Sequence, residues 1–534
     1  MSLARSVAEV LNEHVTLEIE GIDRMYLNGY VPKLQYEMGV VGFFRKHQGY
    51  AFASSALMDP ITKRFIATIE QFVQKHDVPL ISFEKGQRKD DVAATYRANF
   101  SGEEGVLFVG KAQEKARVFR TEKRRNPETD QPYPWIVRAS ALINHYYFYC
   151  VDRDFGPFFL KFCSYFPYTT KLCINGHEYL KRQLAQEGIG FEALDNGLAS
   201  CENPERAQAI CDGLSAEHID ALFRKWVQIL PHPYTAEDRQ AGYCYDLSIL
   251  QAEFSLTQVL DRPLTGRIFF EGVIRENLDL GRPDQTQLIF GRRVTKRTPG
   301  RFRTRVITHG VVPSLHVDYK HSSIKQYHKE GRGLRTEATI NDTMDFAIDK
   351  RLHNLPALRA VGFSANRRLL DVQRTSHDCT MDEDRFCRVN QPLRVGTQRA
   401  SALRFADPWV QAIFSVLALF CLLPRGFTNR EFRERLAPLL GLPVSGMTPG
   451  RTSYHLRRLR LHGVIERQPH SNRYRVSAQG LRTVLFCVRS YNRLLRPGFT
   501  TLAPDAPSTQ LSRLFTKLEA AIDERVVAAH LVAA

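Results

Sequence analysis

Hydrophobic and polar positions alternate in short runs along much of the chain, with stretches of helical spacing between them. Val15 to Glu20 alternates as a half-buried strand does, and Asp59 to Lys75 carries its apolar residues at the spacing of one helix face. Gly105 to Gly110 reads as a short buried strand between glycines. The basic stretch Lys115 to Arg125 leads into Asn126–Pro134, a loop by its turn residues. The aromatic runs His145–Val151 and Phe158–Cys163 predict two strands, joined by a hairpin loop over Asp152–Pro157. Asn175 opens a capped helix, and further helices are predicted over 215–229, 246–260 and 270–278. Strands follow around 303–308, 314–319 and 334–340, and the polar stretch Thr375–Asp384 reads as a linker.

The pattern is sharpest near the C-terminus. Trp409–Leu423 is an apolar run with Gln411 and Ser415 inside it, short of the ~20 residues that span a bilayer, and reads as a buried helix. Thr428-Asn-Arg-Glu431 is a capping box that opens a second helix, which Pro438 should end. Thr448-Pro449 opens a third helix, with proline in the first turn where its missing N–H costs nothing. Leu456 and Leu459 of this helix can face inward. That leaves Arg451, Tyr454, His455, Arg457 and Arg458 available outward, and Gly463 ends the helix. Val464–Arg467, the turn at 469–472 and Arg473–Val476 make a two-stranded wing, and Ser477 caps a final helix.

These elements predict an α+β chain: a multi-domain mixed α/β body with a C-terminal winged helix-turn-helix domain. The expected divisions are an α+β domain at 1–134, an aromatic-rich α+β domain at 135–290 and a basic β-rich segment at 291–385. The winged helix occupies 400–497, and a linker with a short helix occupies 498–534. The helix-glycine-apolar-apolar-wing order resembles the winged-helix domains of bacterial regulators such as the MarR group.

Composition narrows the partners. The 534 residues are 43% hydrophobic and 25% charged, which is globular and large enough to fold without disulfides or structural metal. A formal charge of +17 favours a polyanionic partner, nucleic acid before an anionic membrane surface. Between 401 and 500 there are sixteen Arg, no Lys and four acidic residues, so most of the excess sits in the predicted winged helix. Arginine makes bidentate contacts to guanine edges and phosphates. The third helix would then enter the major groove of double-stranded DNA, and Arg467, Arg473 and Arg475 of the wing would hold the phosphate backbone. Winged helices also serve as protein-docking modules, so docking is the alternative. A second basic run, 291–310, holds seven cations, Arg292, Arg293, Arg301 and Arg303 among them, and no acid. The ten cysteines include no CxxC pair, which argues against a zinc ribbon and suits a reducing, cytoplasmic setting. No apolar signal segment opens the chain, and no membrane association is expected.

Candidate chemistry centres on Leu315–Asn341. Alternation places Arg335, Glu337 and Thr339 on one face of a strand. With Tyr327 and Lys329 before them, they resemble the Tyr-x-Lys…Arg-x-Glu stretch of the Rep_trans replication initiators. That resemblance implies a tyrosine attacking a DNA phosphate and carboxylates holding Mg²⁺ or Mn²⁺. Where that family has its later attacking tyrosine, this chain has Phe346, without an oxygen. His316-Val-Asp318 is one ligand short of the His-hydrophobic-His pair of HUH nickases. The plain alternative is an antiparallel sheet with Arg335 in a cross-strand ion pair. Asp152 and Asp154 form an Asp-x-Asp loop that could hold the metal with Glu337, or be ordinary turn chemistry. Asp246 and Glu253 share a face of the helix predicted at 246–260, and Glu178 lies in a first helical turn where it complements the dipole. No Walker A, GxSxG, HExxH or Rossmann motif is present.

Leu27–Gln35, Asn175–Glu178, Leu278–Asp284 and Lys325–Lys329 together resemble a family of long bacterial proteins with an uncharacterised main body and a C-terminal winged helix. That resemblance implies an outline and no activity. The expectation is a DNA-binding protein of mobile-element type, whose winged helix finds a site while the body grips or nicks nucleic acid. The alternatives are a non-enzymatic regulator whose body senses a ligand or forms an oligomer such as a homodimer, and a protein that handles RNA or single-stranded DNA.

Overall fold

The computed structural model describes residues 13–262, save Lys85. It also describes 304–491, with short interruptions at 310–311, 330–331, 378–380, 382, 406, 421–425 and 470, and a few positions between 514 and 525. The helix predicted at 270–278 and the cations Arg292, Arg293, Arg301 and Arg303 lie outside the described residues. The chain is mixed α/β and divides into two compact units: a body, whose described residues lie within 14–262 and 306–366, and a second unit, whose described residues are Glu13, Thr304, Arg305 and those from 367 onward.

Along the body run β1 (Val15–Tyr30), α1 (Glu37–Gly42), α2 (Ser55–Lys75), β2 (Leu80–Ser82), α3 (Lys89–Ala98), β3 (Gly105–Arg125), β4 (Pro132–Asp152), β5 (Gly156–Cys163) and β6 (Thr170–Asn175). Then come α4 (Gly176–Gln186), β7 (Phe191–Leu194), β8 (Gly197–Cys201), α5 (Pro204–Gly213), α6 (Ala216–Ile229), α7 (Ala236–Gln240) and β9 (Asp246–Leu260). The last strands are β10 (Thr304–His309), β11 (Val312–Tyr319), β12 (Ser322–Lys329) and β13 (Gly333–Ile340), after which α8 (Leu355–His377) leaves the body.

Eleven of these strands form one mixed sheet in the order β10-β11-β12-β13-β9-β1-β6-β5-β4-β3-β2. From β11 to β3 the pairings are antiparallel, built by hairpins and long returns, and β2 joins β3 in parallel through the crossover that carries α3. This sheet corrects three expectations. The described residues on either side of 134/135, and those of β9 and β11 to β13 on either side of 290/291, share this one sheet, because β3 pairs with β4 from Gly105↔Val151 to Arg125↔Pro132 and β13 pairs with β9. Residues 246–260 are a central strand, not a helix. The stretch at 375–384 is no simple linker, since α8 runs to His377 and α9 (Glu383–Asn390) starts within it.

One face of the sheet is apolar and carries the core. Met25, Leu27, Ile249, Phe254, Leu160 and Phe148 are buried there beneath helices. Gly362 lets α8 lie against Phe254, where a Cβ would collide with the ring, and Asn366 Nδ2 donates to the Phe254 carbonyl at 2.8 Å. The other face carries the polar residues described below.

The second unit continues with β14 (Leu393–Val395), β15 (Gln398–Ala400), α10 (Pro408–Phe420), β16 (Phe427–Thr428), α11 (Asn429–Leu439), α12 (Pro449–Leu461), β17 (Ile465–Arg467), β18 (Arg473–Val476) and α13 (Ala478–Arg489). Strands β16, β18 and β17 form a small antiparallel sheet, and Val410, Ile413, Phe414, Phe432, Leu436, Leu456 and Leu459 fill the core beneath it. Thr428 and Glu431 make the reciprocal capping box, and Thr448 caps α12 by accepting from the Arg451 N–H at 3.3 Å. No helix among the described residues is long and apolar enough to cross a membrane.

Candidate functional site

The polar face of the sheet gathers its charges where β12, β13, β9 and β1 lie side by side. Cross-strand registers put Tyr327 opposite Arg335, Lys325 opposite Glu337, and Ser255 opposite Glu337 on the next strand. A register shift in β1 between Ile22 and Met25 sets Asp23 at the same cluster. Helix α4 completes it. Gly176, where a Cβ would strike the Ile22 carbonyl, brings the helix start against β1, and the Asn175 side chain accepts from the His177 N–H at 2.8 Å.

Arg335 is the hub, with none of its surface exposed. Its guanidinium reaches Asp23 Oδ2 at 2.5 Å and Glu337 Oε1 at 2.7 Å, donates to His177 Nε2 at 2.8 Å, and also holds the Asn196 carbonyl. The Asn196 side chain donates to Asp23, and Ser255 Oγ lies 3.0 Å from His177 Nε2. Burial and the neighbouring guanidinium push the His177 imidazole down to about 3, so it is neutral and its Nε2 accepts. The Tyr327 hydroxyl donates to Glu337 Oε1 at 2.8 Å, and Lys325 Nζ sits 4.1 Å from the centre of the Tyr327 ring.

The carboxyl groups are driven apart electrostatically. Burial alone would raise Asp23, but Arg335 foremost more than offsets it and holds the group below its ordinary value. Glu337 moves up, through burial and the Asp23 charge against the pull of Arg335. Glu253, on β9, is pushed up to about 7 by burial and then by Asp23, with Glu337 adding to it and Arg24 opposing. Burial and the Glu337 charge push the Tyr327 hydroxyl well above the usual tyrosine range. A cavity of about 10 Å³, the room of one water, lies beside His177 and is lined in part by Thr257, whose buried hydroxyl has no partner.

Tyr327, Arg335 and Glu337 are thus together, as the alternation of β12 and β13 requires. Arg335 is sealed among protein groups and is not open to a phosphate. Lys329 lies opposite Gly333, two residues beyond Tyr327, and the cation against the tyrosine ring is Lys325. The Asp152, Asp154 and Glu337 set does not assemble. Asp152 ends β4, which lies five strand spacings from β13 in the sheet, about 24 Å at 4.8 Å per strand. Asp152 instead accepts from Trp226 Nε1 and Lys225 Nζ, both at 2.8 Å, and from the N–H groups of Asp154 and Phe155, which anchors the β4–β5 turn on α6. Asp154 accepts from Gln186. The expectation of Mg²⁺ or Mn²⁺ there loses its ligands. Among the described residues, His321, Asp342 and Asp345 have donor atoms within 4.8 Å of one another, but Lys350, Ser322 and main-chain N–H groups already occupy the carboxylates. Asp23, His177, Ser255 and Glu253 are the functional candidates that pattern reading did not assemble.

A second candidate surface lies on α12 and the β17–β18 hairpin. Arg451, Arg457 and Arg460 are exposed on α12, and Arg467 and Arg475 on the hairpin. The Arg451 guanidinium stacks 4.1 Å from the Trp409 ring centre, with His455 stacked on the same ring. Tyr454 is 53% exposed, its hydroxyl 2.9 Å from Ser401 Oγ. Three expected outward residues are not free. Arg458 is buried and donates to the carbonyls of Ser401 and Ala402, because the segment after β15 covers that side of the helix. His455 is buried and held neutral, pushed down to about 4 by burial and the charges of Arg458 and Arg451. Arg473 donates to the Gly426 carbonyl at 3.0 Å and meets Glu431 at 3.3 Å.

Comparison with known proteins finds no family model that matches this chain, and no curated protein or solved structure similar to it.

Proposed function

We propose that the protein is a DNA-binding protein of mobile-element type, in which the second unit is a winged helix that reads double-stranded DNA and the body grips nucleic acid. The observation that carries this reading is the set of exposed guanidinium groups at Arg451, Arg457, Arg460, Arg467 and Arg475, on one helix and the hairpin that follows it. Leu456 and Leu459 of the same helix are buried, so the helix turns Tyr454, Arg457 and Arg460 outward while its apolar side holds the core, and Arg451 stands at the helix start against Trp409. Helix α12 would enter the major groove, and the β17–β18 hairpin would follow the phosphate backbone. Arg451, ordered by its stack on Trp409, is the base reader of choice, since a guanidinium held in place loses less entropy on binding.

The body supports gripping better than nicking. Tyr327 is tied to Glu337 and its hydroxyl is held far from ionisation, while Arg335 is committed to Asp23 and Glu337. These observations favour, as second reading, a regulator whose body performs no chemistry. The test is fluorescence anisotropy of the full chain against a labelled duplex at low salt. Arg451→Ala with Arg457→Ala should weaken binding at least tenfold, and unchanged affinity would remove the winged-helix assignment.

A further inference from the structure

We propose that the β14–β15 hairpin is a second DNA-contacting arm, which grips the phosphate backbone of the duplex beside the groove that α12 would enter. Among the described residues these two strands pair only with each other, with Leu393 opposite Ala400, Arg394 opposite Arg399 and Val395 opposite Gln398. Gly396 and Thr397 make a two-residue turn, and the glycine takes the left-handed φ of +57° that so tight a hairpin demands. At about 3.3 Å per residue the tip stands about 10 Å beyond Ala400. The base of the hairpin is fixed to α12. Ala400 is buried, and the carbonyls of Ser401 and Ala402 accept from the Arg458 guanidinium. The Ser401 hydroxyl lies 2.9 Å from that of Tyr454, and the Ser401 carbonyl lies 3.0 Å from His462 Nε2. Tyr454, Arg458 and His462 are spaced four apart, so the base runs along one side of α12. Next to it is the side on which Ser453, Arg457 and Arg460 are exposed.

The needs of the hairpin do not explain its arginines. Alternation puts Arg394 and Arg399 on the face opposite to Leu393 and the buried Ala400. The two guanidinium groups belong to directly opposed residues, an arrangement of like charges that weakens a strand pair. Both arginines are exposed, and neither makes an ion pair among the described residues. The same holds for Arg388, near the end of α9, and for Arg404, four residues after β15. No acidic residue occurs between 385 and 406 to balance them. A phosphate between Arg394 and Arg399 would remove their repulsion and accept charge-assisted hydrogen bonds from both. An arm whose base is already anchored loses little freedom when it binds. An acidic protein could offer carboxylates to the same pair. A duplex is favoured because it carries a continuous row of phosphates along the groove, and the arm stands beside the helix that would occupy that groove.

This inference rests on the reading of the second unit as a duplex binder and adds a contact outside the helix and the β17–β18 hairpin. The experiment uses the full chain and a fluorescein-labelled 60-base-pair duplex of mixed sequence, followed by anisotropy between 50 and 300 mM NaCl. The variants are Arg394→Ala with Arg399→Ala, and separately Arg394→Lys with Arg399→Lys. Each released phosphate contact changes the slope of log affinity against log salt by about 0.9, so the alanine pair should flatten it by about 2 units and weaken binding several-fold at 100 mM. The lysine pair keeps both charges and should keep the wild-type slope. Removing two facing like charges should leave the thermal midpoint unchanged or raise it, and a lowered midpoint would overturn the arm by making the pair structural. An unchanged slope and affinity in the alanine pair, with wild-type binding intact, overturns the arm alone. A lysine pair as weak as the alanine pair does so too, because charge is then not what the DNA meets. Failure of the wild-type chain to bind the duplex overturns both readings. An alanine pair that loses affinity for a single strand of the same length, but not for the duplex, overturns the choice of partner.

Discussion

Replacing Arg335 with methionine should unfold much of what holds the polar face together. Methionine fills a similar length but brings no charge, so Asp23 and Glu337 would be left buried and facing each other without a countercharge. Removing one member of a buried ion-pair set costs about 3–5 kcal/mol, a large part of the 5–15 kcal/mol typical of a whole domain. Part of the loss is recoverable by protonation. In the wild type the depressed Asp23 carboxyl contributes stability that is present above the ordinary aspartate value of 3.8 and is lost as pH falls through its lower folded value. The variant lacks that contribution. Its deficit should therefore be largest near pH 7 and shrink toward pH 4, as the two carboxyl groups take up protons. Urea unfolding, followed by the fluorescence of the buried Trp226 between pH 4 and 8, measures it. Adding Asp23→Asn to the variant should restore about half the loss. A deficit below about 1 kcal/mol at pH 7, or one that does not change with pH, would refute the assignment of Arg335 as the electrostatic hub.

Two further outcomes follow from the same geometry. Glu253 has its carboxyl raised from 4.5 to about 7, so the stability gained by its protonated form is complete below 4.5 and is lost as pH rises through 7. Between pH 5 and 8 the wild type should lose about 2–3 kcal/mol relative to Glu253→Gln, and parallel pH profiles of the two unfolding free energies would show the reasoning wrong. Arg458→Ala removes donors from two carbonyls inside the second unit and should lower its stability by about 1–3 kcal/mol, read from Trp409 fluorescence in a Trp135→Phe, Trp226→Phe background. Duplex affinity at 10 °C should stay within twofold. Intact stability with lost affinity would return Arg458 to the DNA-facing side.

Local pattern reached the elements and one half of the site. The period of two over 334–340 already put Arg335 and Glu337 on one face, because alternation is a local property, and the resemblance to the Rep_trans stretch named Tyr327 with them; strand β12 and the register that sets Tyr327 opposite Arg335 were not part of that reading. It could not reach Asp23, which lies more than 300 residues away and is aimed by a bulge in β1. Residues 246–260 misled because Leu247, Leu250 and Phe254 fall at helical intervals, although the segment is a central strand buried on its apolar face. Asp152 and Asp154 had turn spacing and no more; what Asp152 holds is set by Lys225 and Trp226 from a distant helix. On α12 the inward leucines were legible from their spacing. The burial of Arg458 was not, since it depends on where residues 401–402 cross the helix.

Hydrogen–deuterium exchange of the full chain, with and without a mixed-sequence duplex at 50 mM NaCl, tests the proposed DNA-binding surface itself. Amides and flanking peptides over 449–461 and 465–476 should slow on adding duplex, while the edge at β7–β8 should not change. Exchange over α12 and the β17–β18 hairpin that is identical with and without saturating duplex would contradict the winged-helix reading.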